Sequence, residues 1–383
     1  MYRKIHTNEV RNVSLAQDKD GATDLAKLTA YETGGDFFGL LRSLGVSLMV
    51  SREYEHFLTT LGSLDGEPVT DAFEIPHPSG MCYDHQADEA IVTSTRTPHQ
   101  VFFLKKAPHH APLSDIVPED YRPQPGTMFL PYKSLILPGG FYLHDIALIG
   151  RDIYGTVTGH NFLARLDRDG GWERVWWPKC VDGMGRAGFD QNYLQLNSMA
   201  AGDSPEDSFY TAFSDQTHGV KPWKEGYGPK GKGVVFDGAS RDVVCRGLTC
   251  PHSARFHDGR LWLCNSGYGE VGVVEPGQGL RAFTPVYRCN GFTRGLWFQG
   301  GYGFVGLSRV IDFYEPYAPG LKPGESVCAV CVFDVATGQE VGRIWWPEGY
   351  QVYDVIVLPG VTDPRLPQKR AGDEFNQFLR YLG

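Results

Sequence analysis

Short apolar runs of strand length recur along this chain, separated by breaks rich in Gly, Pro, Asn and Asp. The clearest example lies at 250–279. Ser253 to His257 mixes small, apolar and polar residues, as a strand beside a core does. His257-Asp258-Gly259-Arg260 follows as a polar turn, and Asp-Gly is a strong hairpin signal. Leu261 to Cys264 is a fully apolar strand, Asn265 to Gly269 a second turn, and Val271 to Val274 a third strand closed by Pro276-Gly277. The same order returns roughly every 50 residues, the period of a repeat architecture.

Aligning the repeats predicts six innermost strands, at Gly80, Asp145, Ser198, Ser253, Gly295 and Asp354. The last has no outer strands after it, and the strands at 45–75 have no inner strand before them. Joining the two into one sheet closes a ring. The expected fold is therefore an all-β, six-bladed β-propeller over 36–360, in which radial repetition leaves few exposed sheet edges. Residues 1–35 read as an arm and 361–383 as a tail. Short helices are expected at Asp36–Leu44, stopped by Gly45, and at Asp373–Leu382. The paired tryptophans Trp176-Trp177 and Trp345-Trp346 read as packing between blades. Long loops are expected at 107–131, 214–232 and 308–325.

Composition narrows the function classes. A formal charge of −9 gives no basic field for nucleic acid. No run of apolar residues is long enough to span a membrane, and the first residues lack a signal-peptide core. The eight cysteines form no disulfide framework; Cys82, Cys264, Cys328 and Cys331 lie in apolar runs as small hydrophobes. The expectation is a cytoplasmic protein with reduced thiols, with a homo-oligomer left open. The Gly-rich 225–233 lacks the strand–GxxxxGK[ST]–helix context of a phosphate loop, and no nucleotide or flavin fingerprint appears. Cys328 and Cys331 have CxxC spacing but no second pair.

The candidate chemistry comes from the alignment. One residue per blade falls just before or at the start of each inner strand, at one mouth of the channel: Ser79, His144, Asn197, His252, Arg294 and Tyr353. All are polar. Loops between the second and third strands open on that face and add Arg52, Arg96, His160, His218, Tyr268 and Arg309, with Trp223 in the 214–232 loop. His144 and His252, with Asn197, can ligate a divalent metal such as Zn, Fe or Ca. Without a metal, either histidine can act as general acid or base. Arg294 can hold a carboxylate or phosphate, or stand in a salt bridge to Asp354 or Asp145. Tyr353 can move a proton if a neighbouring cation lowers its pKa.

The strings PHSARFHDGRLWLCNSGYGEVGVVEP, TRGLWFQGGYGFVGLS and YDVIVLPG, with His144-Asp145 and LNSMA at 196–200, resemble a bacterial propeller family known mainly as a conserved domain of unknown function. Gln195 stands where members of that family often carry histidine. More distantly, the architecture is similar to lactonase, lyase and amidating-lyase propellers, which hold a metal in the channel. The resemblance implies the fold and no settled activity. The leading expectation is an enzyme acting on a small organic substrate at the channel mouth by histidine acid–base chemistry, as lyase, isomerase, cyclase or hydrolase. The competing expectation is a non-catalytic propeller that binds a metabolite, carbohydrate or protein partner.

Overall fold

Six antiparallel sheets stand around one axis in the computed structural model, which describes residues 25–96, 99–107, 110–112, 126–222, 224–367 and 379–381. The first blade runs outward from Asp354–Pro359 through Val46–Arg52 and Phe57–Leu64 to Glu67–Glu74. The N-terminal strands thus pair with the last propeller strand, Val46 opposite Pro359 and Ser51 opposite Asp354. The inner strands of the other five are Pro78–Asp84, Leu143–Ile149, Leu196–Ala200, Pro251–His257 and Phe292–Gln299. Two short strands from outside 36–360 extend blades. Glu32–Gly35 adds a fifth strand to the sixth blade and Pro364–Arg365 a fifth to the second.

Polar contacts lace the inner strands into a ring. Asp354 accepts from the Met81 amide, Asp145 from Met199, Ser198 from Ala254 and Ser253 from Gly295, each across a blade boundary. At the two remaining boundaries glycine replaces the acceptor. A Cβ on Gly80 would sit 2.6 Å from the Asp145 Cα, and one on Gly295 2.5 Å from the Val355 amide nitrogen. The six residues that mark the inner strands are thus the six that let the strands touch. Between blades the contacts are apolar. Trp176 stacks on Tyr210 of the next blade at 3.8 Å, and Trp346 is buried among residues of the first blade.

The helix Phe37–Leu44 forms where expected. Asp36 caps it through the Gly39 amide, and Gly45 ends it in the left-handed conformation. Two expectations need correction. Residues Thr127–Ile136 are the fourth strand of the second blade, so the predicted excursion at 107–131 is shorter; residues 108–109 and 113–125 lie outside the described residues. The C-terminal helix does not form over Leu379–Tyr381, which pair as a strand with His110–Pro112. The rest of that segment lies outside the described residues. All eight cysteines are free. Among the described residues no helix is long and apolar enough to cross a membrane.

Candidate functional site

A local backbone device sets up one mouth of the channel. His77, Tyr142, Gln195 and Cys250 all have left-handed backbone, with φ between 45° and 52°. Each stands two residues before a ring position: Ser79, His144, Asn197 or His252. For non-glycine residues this conformation costs on the order of 1–2 kcal/mol, and such strain collects where function needs it. The bend turns each chain sharply into its inner strand.

The mouth encloses a cavity of about 110 Å³. His144, His252, Arg294 and Tyr353 all line it, as do Arg96 and Arg309. The overhanging loops close over it as expected. Tyr317 of one donates its hydroxyl to the Pro222 carbonyl of the other at 2.6 Å, and both residues line the cavity.

The two imidazoles carry opposite tautomers, assigned from their partners. His252 Nδ1 lies 2.8 Å from the Cys250 carbonyl, which can only accept, and 2.8 Å from Ser266 Oγ. Ser266 in turn donates its proton to the Thr293 carbonyl. Nδ1 therefore carries the hydrogen, and Nε2 is a lone pair with no partner among the described residues. His144 is the reverse. Gln195 accepts from Asn192 through Oε1 at 2.6 Å, so its amide nitrogen faces His144 Nε2 at 3.3 Å. His144 Nε2 accepts, and Nδ1 bears the hydrogen, unpartnered among the described residues.

Electrostatics keep both rings neutral. Burial pushes His144 down to about 3, helped by Arg294 and opposed by Glu53. Burial, Arg294 and His144 together hold His252 well below the ordinary imidazole value. Burial also raises the Tyr353 phenol well above its usual range, outweighing the pull of Arg294, whose guanidinium lies 4.0 Å over the ring. This corrects the expectation that a cation would make Tyr353 labile: the phenol stays protonated, and its hydroxyl is a buried donor without a partner among the described residues. Glu53 is ionised. Burial alone would raise its pKa, but Arg96 and the Thr95 hydroxyl hold it at about 2. With its amide turned to satisfy both neighbours, Gln351 donates to Glu53 at 3.2 Å and accepts from Arg294 Nη1 at 2.8 Å.

Other predicted site residues have structural work instead. Ser79 is buried, bonded to Thr93 and the Leu143 carbonyl between blades. Asn197 is buried beside the cavity without lining it, its Nδ2 unpartnered. Arg52 is fully buried, pairs with Glu55 at 3.1 Å and bonds the Leu28 carbonyl. His160 belongs to a separate aromatic groove and bonds the Phe189 carbonyl. Tyr268 packs against Gly320, and His218 is exposed on its loop. Trp223 lies outside the described residues. Arg294 makes no salt bridge to Asp145 or Asp354; Arg255 takes that place. Sequence reasoning missed Tyr142, Phe292 and Gln351 as lining residues and noted Gln195 only as a departure. Each stands two residues before a ring position, so the two-residue period of a strand pointed to all four.

A metal needs more than this donor set offers. Among the described residues, no three or more His, Cys, Asp or Glu side chains converge as ligands would. Arg294 also lies close enough to depress both imidazoles, and a fixed cation there opposes a second one. These residues do not fit a divalent ion, and no step is routed through one.

A family model matches residues 35–366. The chain belongs to the family described as Domain of unknown function (DUF4915). None of the curated proteins matches its sequence. Among solved structures, a chain of the nidogen/laminin complex is similar at 13% identity and TM-score 0.54, covering 82% of this chain and 99% of its own. A protein of unknown function from Bacteroides caccae is similar at 9% identity and TM-score 0.50, covering 82% and 98%. A gluconolactonase from Xanthomonas campestris is similar at 14% identity and TM-score 0.45, covering 79% and 86%. These likenesses concern the fold alone.

Proposed function

We propose that this DUF4915 propeller is an enzyme that moves protons on a small organic substrate held in this cavity. One observation carries the reading. Two buried neutral imidazoles with opposite tautomers line the same small space, and the lone pair of one and the N–H of the other have no partner among the described residues. Pairs of titratable groups whose surroundings give them opposite roles mark acid–base sites. His252 Nε2 takes a proton from the substrate. The electron pair left behind shifts onto a neighbouring substrate oxygen, where the Tyr353 hydroxyl donates a hydrogen bond to the developing charge. The His252 imidazolium so formed returns the proton, either to another substrate atom, which completes an isomerisation, or to a departing group, which completes an elimination, while the His144 Nδ1–H holds a substrate acceptor by a hydrogen bond. His252 ends as the neutral base it began as, and His144 keeps its proton throughout. No electron is exchanged with a redox partner.

Incubation of the purified full chain with a metabolite extract, read by untargeted mass spectrometry, tests the reading. Wild type should deplete a compound and raise a product that His252→Asn and His144→Asn both leave unchanged. A compound that is retained on the wild-type protein with its mass and structure intact, and with no product, would make the protein a binder and overturn the proposal.

A further inference from the structure

The cavity is cationic inside an acidic protein. Its lining holds three guanidiniums, on Arg96, Arg294 and Arg309, and one carboxylate, on Glu53. Arg96 already occupies Glu53, at 2.9 Å. Arg309 donates to the Pro347 carbonyl and is only half-buried, so water can serve the rest of its charge. Arg294 is different. Only 9% of it is exposed, yet it forms no ion pair among the described residues. Buried charges are ordinarily paired, because leaving one unpaired forfeits its hydration without return.

The way Arg294 is held shows what it awaits. Nη1 is taken by Gln351, and the Tyr353 ring covers one face of the guanidinium. Nε has no partner, and Nη2 makes no hydrogen bond among the described residues. The free part is thus the Nε–Nη2 edge, two parallel N–H groups in a plane, which matches the two oxygens of a carboxylate. Lysine would offer a point charge without that fork.

Resting on the acid–base reading above, we propose that the substrate is a small carboxylic acid whose carboxylate docks side-on to the Nε–Nη2 edge of Arg294. Docking supplies the missing counter-charge and leaves the rest of the molecule facing His252 and His144. It also offsets the secondary share of the depression of both imidazoles that Arg294 adds to burial, so the bound anion strengthens the base that will attack it.

Thermal unfolding of the full chain with matched probes tests this. Acetate, propionate and lactate should raise the melting temperature in a saturable way, and acetamide, propionamide and lactamide should not. Arg294→Gln should weaken carboxylate binding by about tenfold or more. Arg294→Lys, which keeps the charge, should also bind weakly, and it serves if Arg294→Gln fails to fold. Arg165→Gln, on an outer strand, should bind as wild type does. Amides binding as well as acids, unchanged carboxylate affinity in both Arg294 variants, stabilisation by inorganic phosphate alone, or no stabilisation by any probe would each overturn the proposal. His252→Asn keeps the docking edge and should bind carboxylates normally. Loss of acid selectivity with His252-dependent turnover intact would therefore sink the docking and spare the chemistry, and the reverse result would do the opposite.

Discussion

The two mouths of the channel each carry a buried arginine, and the two arginines live in opposite circumstances. At the mouth where the inner strands end, Arg255 meets Asp145 through both nitrogens, at 2.9 and 3.2 Å, and donates to the Met199 carbonyl at 3.1 Å, with Asp354 at 3.8 Å. It ties three blades together on the floor of a cavity of about 750 Å³. At the other mouth Arg294 has one amide oxygen and an aromatic face, and its cavity is about 110 Å³. Both residues look alike in the sequence, polar positions beside an inner strand. The difference is how many of their partners are supplied by the fold. A satisfied polar cluster holds a structure together, whereas an unsatisfied one is waiting for something.

Removing each arginine in turn should break the symmetry most visibly. Arg255→Met leaves Asp145 and Asp354 facing each other in the channel with no cation. Breaking a buried ion pair in this way costs on the order of 3–5 kcal/mol. Burial already pushes the Asp354 carboxyl up to about 7 against the pull of Arg255, so without the arginine Asp354 takes up a proton and the loss should fall at the low end of that range. Arg294→Met removes a charge that has no counter-ion. Its stability should stay within about 1 kcal/mol of wild type, or rise, as it does when a strained functional group is replaced. Urea unfolding of both variants checks this. Equal losses would mean that Arg294 is a structural residue like Arg255, and the distinction between the mouths would fall.

That distinction was beyond what the chain alone could offer, although much else was legible. The ring closure could be read because the inner strand at Asp354 and the outer strands at 45–75 each lacked what the other had, and Val46–Arg52 does pair with Asp354–Pro359. Four of the six ring positions line the cavity because a strand's small–apolar pattern fixes where it starts. Ser79 drops out for a reason that needs coordinates: a hydroxyl beside an inner strand can serve the neighbouring blade as readily as a ligand, and this one bonds Thr93 and Leu143. Arg52 drops out because Glu55, three residues on, folds back onto it. Both outcomes turn on partner choice, which spacing does not encode. The tautomers of His144 and His252 depend on Asn192, Cys250 and Ser266 in the same way.

Acid sharpens the comparison at the histidine mouth. An unfolded histidine titrates near 6.5, while His144 stays neutral down to about 3 and His252 is also strongly depressed. Below pH 6.5 the unfolded chain therefore binds protons that the folded chain refuses. The contribution of each ring is whole above that pH and is lost as pH falls toward the folded value. The loss is about 1.4 kcal/mol per pH unit per histidine, or about 2 kcal/mol between pH 6.5 and 5. His144→Asn and His252→Asn should each flatten the wild-type stability profile by that amount over that interval. Asp354 titrates in all three proteins and cancels in the difference. Identical slopes would mean that the rings are open to water and lack the burial on which their roles depend. Saturating carboxylate should flatten the wild-type slope as well, because an anion on Arg294 removes one cause of the depression.

The smallest effect concerns the lid. Two long loops overhang the histidine mouth, joined where Tyr317 donates to the Pro222 carbonyl at 2.6 Å. Tyr317→Phe keeps the ring and deletes that bond. The bond is only part-buried, so water can replace the lost donor, and global stability should fall by no more than about 1 kcal/mol. Local opening should change more. Amides in 214–222 and 315–325 should exchange with solvent several-fold faster, those around Arg255 should be unaffected, and a bound carboxylate should leave faster with its association rate little changed. Hydrogen exchange read by mass spectrometry follows both mouths in one experiment. Faster exchange at both would make the hydroxyl a general brace of the propeller, and unchanged exchange at the loops would show that they stay shut without it.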